Sequence, residues 1–370
     1  MADYKNQHFV PRAHFRPFSV GGDGLAINLY LSRRDRAVMS APVKGQCARD
    51  YLYGQDGRLE KLLGKLEGRY AELVRKLADE KYDLDDTDRW LLRYFILLQS
   101  YRTAEQIEHA LVQMTAMESF FRQAEEAHGN EWIKEAPTRG SAMTQLMLAF
   151  NDQMQGGMLD DLKVAILRNR TDHDFITSDD PAVTTNRWLL QRKQIKTFGS
   201  NAAGLLLFLP LGPRTLALLY DPAVYSLSAS RPGLVDVVRE TDVLAFNEHQ
   251  YMRAVSSIYV NDQHDLERIA CEFKAAAPYR PELWDRFTVA KRDGDSATHT
   301  RYSVGEPEEI AKEDAILFHL AREWPQPPRW PAMIRYREGA HGFTKGRLIV
   351  RRARMNETDL VDDIYYRRTA

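Results

Sequence analysis

The apolar residues of this chain change their spacing near residue 160, and that change does most to limit what the chain folds into. Upstream they recur every three or four positions. Leu59, Leu63, Leu66, Tyr70, Leu73 and Leu77 mark one buried side of a helix, because positions three and four apart share a helical face. Asp56 stands where its carboxylate accepts a free backbone N–H at the helix start. A second helix is predicted from Asp86–Asp88 to Arg102, with Trp90, Tyr94, Leu97, Leu98 and Tyr101 on its buried side. Apolar residues occupy its other faces too, which predicts a central helix. Helical pattern continues to about Ala127, and another helix is predicted from Ser141 to about Gln155.

Downstream the apolar runs are short. Leu25–Leu31 (after the glycine cluster at 21, 22 and 24), Lys163–Arg168 and Asp174–Ser178 read as strands, the last two joined by a polar turn. Leu205–Leu209 and Thr215–Tyr220 read as a hairpin over Pro210–Arg214. Runs apolar on both faces suit central antiparallel strands. Helices are predicted again from Val235 to Ala276. Beyond Ala277 the pattern loosens. Trp324–Pro331 carries four prolines and two tryptophans, which excludes helix and central strand. A late strand is predicted at Arg347–Arg351. The expected fold is α+β: a helical half packed on a small antiparallel sheet in residues 1–280, with a C-terminal extension, 281–370, packed on that core.

Composition narrows the function classes. With 51 basic against 52 acidic residues, no global field favours nucleic acid or an anionic membrane. Two distant cysteines, Cys47 and Cys271, fit a reducing cytoplasm better than a secreted scaffold. The N-terminus lacks the apolar core of a signal peptide, and no apolar run is long enough to span a bilayer. A soluble cytoplasmic chain is expected. Phosphate-binding loops, dinucleotide fingerprints, HExxH and GxSxG are absent, and the histidines do not cluster at zinc spacings. Glu272–Lys274 matches the ExK half of a nuclease motif, but it sits in a segment that reads as helix, where that chemistry needs a strand.

Four islands stand out in order: QHFVPR at 7–12 with FRPFS at 15–19, LQSYRT at 98–103, FITSDDPAV at 175–183, and LPLGP at 209–213. Together they resemble the bacterial family catalogued as domain of unknown function 4238. Its pattern opens with QH-aromatic-V/I-P and has a helical middle ending near Q-x-x-R-T. FITSD-x-P-V, a PLSP-like turn and a helical asparagine follow, the last matching Asn247. The resemblance covers roughly residues 5 to 265. His14 and Phe15 stand where the family more often has two aromatics, and Gly212 replaces a serine. The family supplies no reaction.

The chemistry of the islands admits two readings. His8, on an extended segment before Val-Pro, suits a general base or a metal ligand, or it docks the N-terminus by hydrogen bonds. Its tetrad is similar to the start of an HNH nuclease motif, whose later Asn and His are missing at the required spacing. Glu67 lies beside the seam of the first long helix, and Gln99 and Arg102 share a face of the second. An unpaired buried charge is costly. A buried Glu67–Arg102 pair with Gln99 therefore either binds a phosphate or orients a water, or staples two helices. Asp179 and Asp180, at a strand end before proline, either present carboxylates to a cleft or form an Asx-type turn. The basic stretch of Lys345, Arg347, Arg351, Arg352 and Arg354 is either a phosphate contact or a solvated face neutralised by the acids that follow.

One function hypothesis is thus a phosphodiester hydrolase, a nuclease-like effector in bacterial antiviral defence or a toxin setting. Its site residues are His8, Glu67, Gln99, Arg102 and Asp179, and a divalent metal is compatible with the carboxylates. The alternative is a non-catalytic binding or regulatory module in which the same residues form a structural polar core. The expected partner is nucleic acid or a protein, and not a membrane. An open cleft lined by His8, Gln99, Arg102 and Asp179 favours the enzyme; a sealed, fully hydrogen-bonded cluster favours the module.

Overall fold

The leucine seam folds as its spacing demands. The structure, a computed structural model, describes residues 5–54, 57–129, 131, 133–282, 284–295, 300–313, 315–345, 348–351 and 365–368. The N-terminal segment gives β1 (Asn6–His8), the one-turn α1 (Arg12–Phe15), β2 (Ala26–Leu31), β3 (Arg36–Pro42) and β4 (Ala48–Asp50). In α2 (Arg58–Lys76), Leu63, Tyr70 and Leu73 are buried. The predicted cap Asp56 lies outside the described residues; Gly57, with φ 63°, precedes the helix. In α3 (Asp86–Tyr101), Asp85 and Asp88 form a reciprocal capping box. Leu97 and Leu98 are buried as expected, while Trp90 departs from its expected burial at 43 % exposed. Leu91, Leu92, Phe95 and Ile96 are buried as well, so burial extends around α3 as a central helix requires. Two further helices, α4 (Ala104–His128) and α5 (Arg139–Gln155), complete the helical layer.

The next elements are β5 (Lys163–Asn169), β6 (Thr177–Ser178), β7 (Val183–Thr185), β8 (Leu206–Gly212), β9 (Thr215–Tyr220), β10 (Tyr225–Ser226) and β11 (Leu234–Val237). A five-stranded sheet runs β11-β5-β9-β8-β7, antiparallel except for the parallel β11–β5 pair. Alternation along β8 and β9 splits its faces. Leu207, Leu209, Ala217 and Leu219 join the core under α2–α5. Leu206, Phe208, Leu216 and Leu218 join the opposite core with Phe246. Both faces are covered, which is why the strands read as continuous apolar runs.

The region expected to hold helices from Val235 to Ala276 does hold two, but strands precede and separate them. The order is β11, then α6 (Glu240–Arg253), β12 (Ser257–Val260) and α7 (Leu266–Ala276). The segment SIYV is short, β-branched and wholly buried, so it serves as a strand of a second sheet, β3-β2-β12-β6. β6 pairs there with β12, and not with β5 as a simple hairpin reading implies.

The C-terminal region is more regular than its sequence suggests. β13 (Asp285–Asp295), β14 (Thr300–Val304) and β15 (Ile316–Arg322) form a sheet whose Val289 and Phe318, with Ile310 of the short α8 (Pro307–Ile310), pack on Phe120 and Ala124 of α4. The proline-rich strap then returns along the core. Trp324 stacks on Phe198 with ring centroids 4.9 Å apart, and Trp330 meets His249 edge-on at 4.9 Å. β16 (Arg335–Tyr336) pairs with β10. The late strand is present as β18 (Leu348–Val350), paired with β17 (Phe343–Lys345), and β19 (Tyr365–Arg368) adds to β14. The fold is α+β. Among the described residues no helix is long and apolar enough to cross a membrane.

Candidate functional site

The first island is held by a backbone carbonyl. The Phe9 carbonyl accepts from Gln99 Nε2 at 2.8 Å and from Arg102 Nε at 3.2 Å. Arg102 Nε also donates to Gln99 Oε1 at 3.0 Å, and Arg102 Nη2 to Glu67 Oε1 at 2.8 Å. The three-residue spacing puts Gln99 and Arg102 on one side of the end of α3, and α2 brings Glu67 to them. Gln99 is 1 % exposed and Arg102 0 %, while Glu67 keeps a quarter of its side-chain surface. Gln7 adds a second clasp: its Nε2 donates to the Gly54 carbonyl at 2.8 Å, and its Oε1 accepts the Tyr53 N–H.

His8 sits half-buried at the edge of this network. Its Nε2 lies 3.2 Å from the Lys44 carbonyl. A carbonyl only accepts, so Nε2 carries the proton and the neutral ring keeps its Nδ1 lone pair. Burial pushes His8 below its ordinary pKa, with Arg12 and Arg102 adding to the effect. Glu60, missed by the sequence reading, is half-buried two turns before Glu67. Burial and then the Glu67 charge push its carboxyl up. The seven-residue spacing on one helix was the available signal.

The third island is tied down from three sides. His14, read only as a departure from the family pattern, is fully buried and bonded to Tyr70 Oη at 2.9 Å and Thr177 Oγ1 at 2.8 Å. Its ring lies 5.8 Å from those of Phe15 and Phe18 and 6.2 Å from that of Tyr70, so the imidazole fills an aromatic position while bridging two islands. Burial drives its pKa down to about 3. Asn247 accepts from the Ile176 N–H at 3.1 Å and donates to the Asp174 carbonyl at 2.9 Å. Ser178 donates to Gln250 at 2.8 Å.

Asp179 accepts from the N–H groups of Val255, Ser256 and Ser257 and from Ser256 Oγ, at 2.7 to 3.1 Å. It is 6 % exposed. The Asx-turn expectation is corrected: the carboxylate binds the backbone after α6, across 76 to 78 residues, and not its own turn. Of the five residues read from sequence, His8, Glu67, Gln99 and Arg102 therefore gather around the N-terminal island. Asp179 shares no hydrogen bond with them.

A second polar cluster gave little sequence signal. Asp180 and Arg253 form a buried ion pair, and Asp180 Oδ1 and Arg253 Nε have no partner among the described residues. Burial pushes Asp180 up to about 6 against the pull of Arg253. Trp284 lies beneath the guanidinium of Arg253 at 5.3 Å. Nearby on α4, His109 is clasped between Asp285 at 2.5 Å and Glu105 at 3.2 Å. Arg322 holds Asp285 at 2.9 Å and Gln106 at 2.7 Å. Only the Glu105–His109 spacing of four was readable in advance.

The C-terminal basic stretch is neither a solvated face nor a phosphate contact at Arg351. That guanidinium is buried, bonded to Asp161 at 2.7 Å and to the carbonyls of Ser200 at 2.6 Å and Ala202 at 3.1 Å. Arg347, Arg352, Arg354 and the side chain of Lys345 lie outside the described residues. Glu272 and Lys274 lie on α7 and have separate partners, Tyr251 and Arg268 for one and Asp35 for the other. Cys47 and Cys271 form no disulfide. Among the described residues no group of three or more His, Cys, Asp or Glu side chains is placed to hold a metal ion.

Comparison with known proteins adds one match. A family model described as protein of unknown function, DUF4238, matches residues 6–264. No curated protein and no solved structure matches the chain. The match ends between β12 and α7, so all four islands lie within it, while Trp284, Asp285 and Arg322 lie beyond it.

Proposed function

The chain belongs to the DUF4238 family of proteins of unknown function, and we propose that it is a binding or regulatory module whose polar islands form a structural core. The observation that carries this reading is the sealing of Gln99, Arg102 and Asp179. An amide, a guanidinium and a carboxylate are all nearly closed to solvent and are bonded to the backbone or side chains of distant segments, Arg102 Nη1 alone of their polar side-chain atoms lacking a partner among the described residues. A group that reacts with substrate needs a path to it. These three instead fix where the N-terminal island and the turn after α6 sit.

One observation favours a second reading, phosphodiester hydrolysis in an antiviral or toxin setting. His8 is half-exposed with a free Nδ1 lone pair, and two partly exposed carboxylates, Glu60 and Glu67, lie near Arg102. In that reading His8 is the base, Arg102 positions Glu67, and Asp179 is structural. The two readings separate when RNA and DNA are incubated with the full chain, with and without divalent metal, alongside His8→Ala and Glu67→Gln. The module reading expects no degradation that distinguishes wild type from either variant. Degradation by wild type that both variants lose overturns it in favour of the hydrolase.

A further inference from the structure

A cavity of about 710 Å³ opens where the end of α2, the end of β5, the β8–β9 turn and the FRPFS island meet. Five arginines line it: Arg16, Arg75, Arg168, Arg170 and Arg214; the carboxylates in its lining are Glu80 and Asp174. Two of the arginines are already compensated. Arg170 pairs with Glu80 and Asp236, and Arg214 with Asp174. The other three form no ion pair among the described residues. Arg16 and Arg75 reach only local carbonyls, each at 3.4 Å.

Arg168 has a structural task that explains part of its presence. Its Nη1 and Nη2 donate to the carbonyls of Leu77 and Asp79 at 3.0 and 2.9 Å, which satisfies the open end of α2. That leaves Nε, which is buried and has no partner. The residue itself is 5 % exposed. A buried donor left without a partner is destabilising. Nε is closed to solvent, so Arg168 gives the cavity its charge; helix capping explains neither the exposed guanidinium groups of Arg16 and Arg75 in the same lining nor the excess of five arginines over two carboxylates.

We infer that this cavity binds a small phosphorylated molecule, with its phosphoryl group among Arg16, Arg75 and Arg168 and its body against Val74, Leu77, Leu211 and Pro213. Guanidinium groups match phosphate oxygens in charge and in fork geometry. The volume lies within the range of small-molecule sites, about 300–1,000 Å³, so it has room for more than the anion. Gly212 keeps the wall close: a Cβ there would lie 3.0 Å from Pro17 Cβ. The site lies apart from His8 and stands whether or not the chain hydrolyses anything.

The test is calorimetric titration of the full chain with AMP, adenosine and inorganic phosphate. AMP is expected to bind at least about tenfold more tightly than adenosine, since charged hydrogen bonds contribute that much. Arg16→Ala and Arg75→Ala, both at exposed positions and outside the helix-capping contact, are expected to weaken AMP binding by about tenfold each. Inorganic phosphate binding as tightly as AMP supports the phosphoryl site and assigns it to the free anion. Adenosine binding as tightly as AMP, no binding of AMP or phosphate up to millimolar concentration, or unchanged affinity in both variants overturns the inference.

Discussion

At the scale of single residues, Asp179 ties the FITSD segment to the chain after α6 with four accepted bonds. Asp179→Asn turns one acceptor oxygen into a donor facing N–H groups. Its expected cost is about 3 kcal/mol, read as a fall in the urea midpoint at unchanged slope. His8→Ala is expected to cost about 1 kcal/mol or less, because that ring is half-exposed and makes one long bond. Equal losses in the two variants would contradict the division between a sealed core and an open rim. The Glu67–Gln99–Arg102 network was legible because two members lie three apart on a helix and the third sits beside an apolar seam. His14 was not, because a buried neutral imidazole in an aromatic position leaves no mark beyond a broken pattern. The Asp180–Arg253 pair joins residues 73 apart, and no local spacing announces such a contact.

At the scale of elements, what the sequence revealed follows from how each element is buried. Helix α2 has one buried stripe and one wet face, so its period is plain. In α6, by contrast, eleven of fourteen residues are buried, among them Asn247, Glu248, His249, Gln250 and Arg253. Asn247, Glu248, Gln250 and Arg253 meet polar groups of other segments and His249 meets the rings of Phe208 and Trp330, so no amphipathic stripe survives. The strand β12 was absorbed into a helix reading because four buried residues between two helices carry no period of their own. The strands β13 and β15 pair over seven positions, yet their burial is mixed, so their alternation is weak. Helix caps were more local and more legible: Asp86–Asp88 marked the start of α3, one residue after the true cap, Asp85.

At the scale of the whole molecule, His109 joins the Arg322–Gln106 bond and the apolar contacts of Phe120 and Ala124 in latching the region beyond the family match to α4. Burial opposes protonation of His109, but its bonds to Asp285 and Glu105 outweigh burial and raise its pKa above 6.5, with Arg322 opposing. The folded state then holds that proton more tightly than the unfolded chain. The contribution is complete below about 6.5 and is lost as pH rises through the folded value. Asp285 is held down to about 2 by His109 and Arg322 against its burial, so its share is present above 3.8 and lost as pH falls through about 2. Trp284, whose ring lies 6.4 Å from His109, reports on the latch. Tryptophan fluorescence is expected to change as pH rises above the ordinary histidine range in wild type and to stay flat in His109→Gln. Identical curves would remove His109 from the latch.

The claim that organises the molecule is that the islands hold it together. Equilibrium unfolding of Arg102→Met tests this most directly. The guanidinium is closed to solvent and bonds Phe9, Gln99 and Glu67. Removing it leaves a carbonyl, an amide and a carboxylate short of a partner, and stability is predicted to fall by about 3–5 kcal/mol. An unchanged or raised urea midpoint, as expected when a strained reactive group is replaced, would contradict the account.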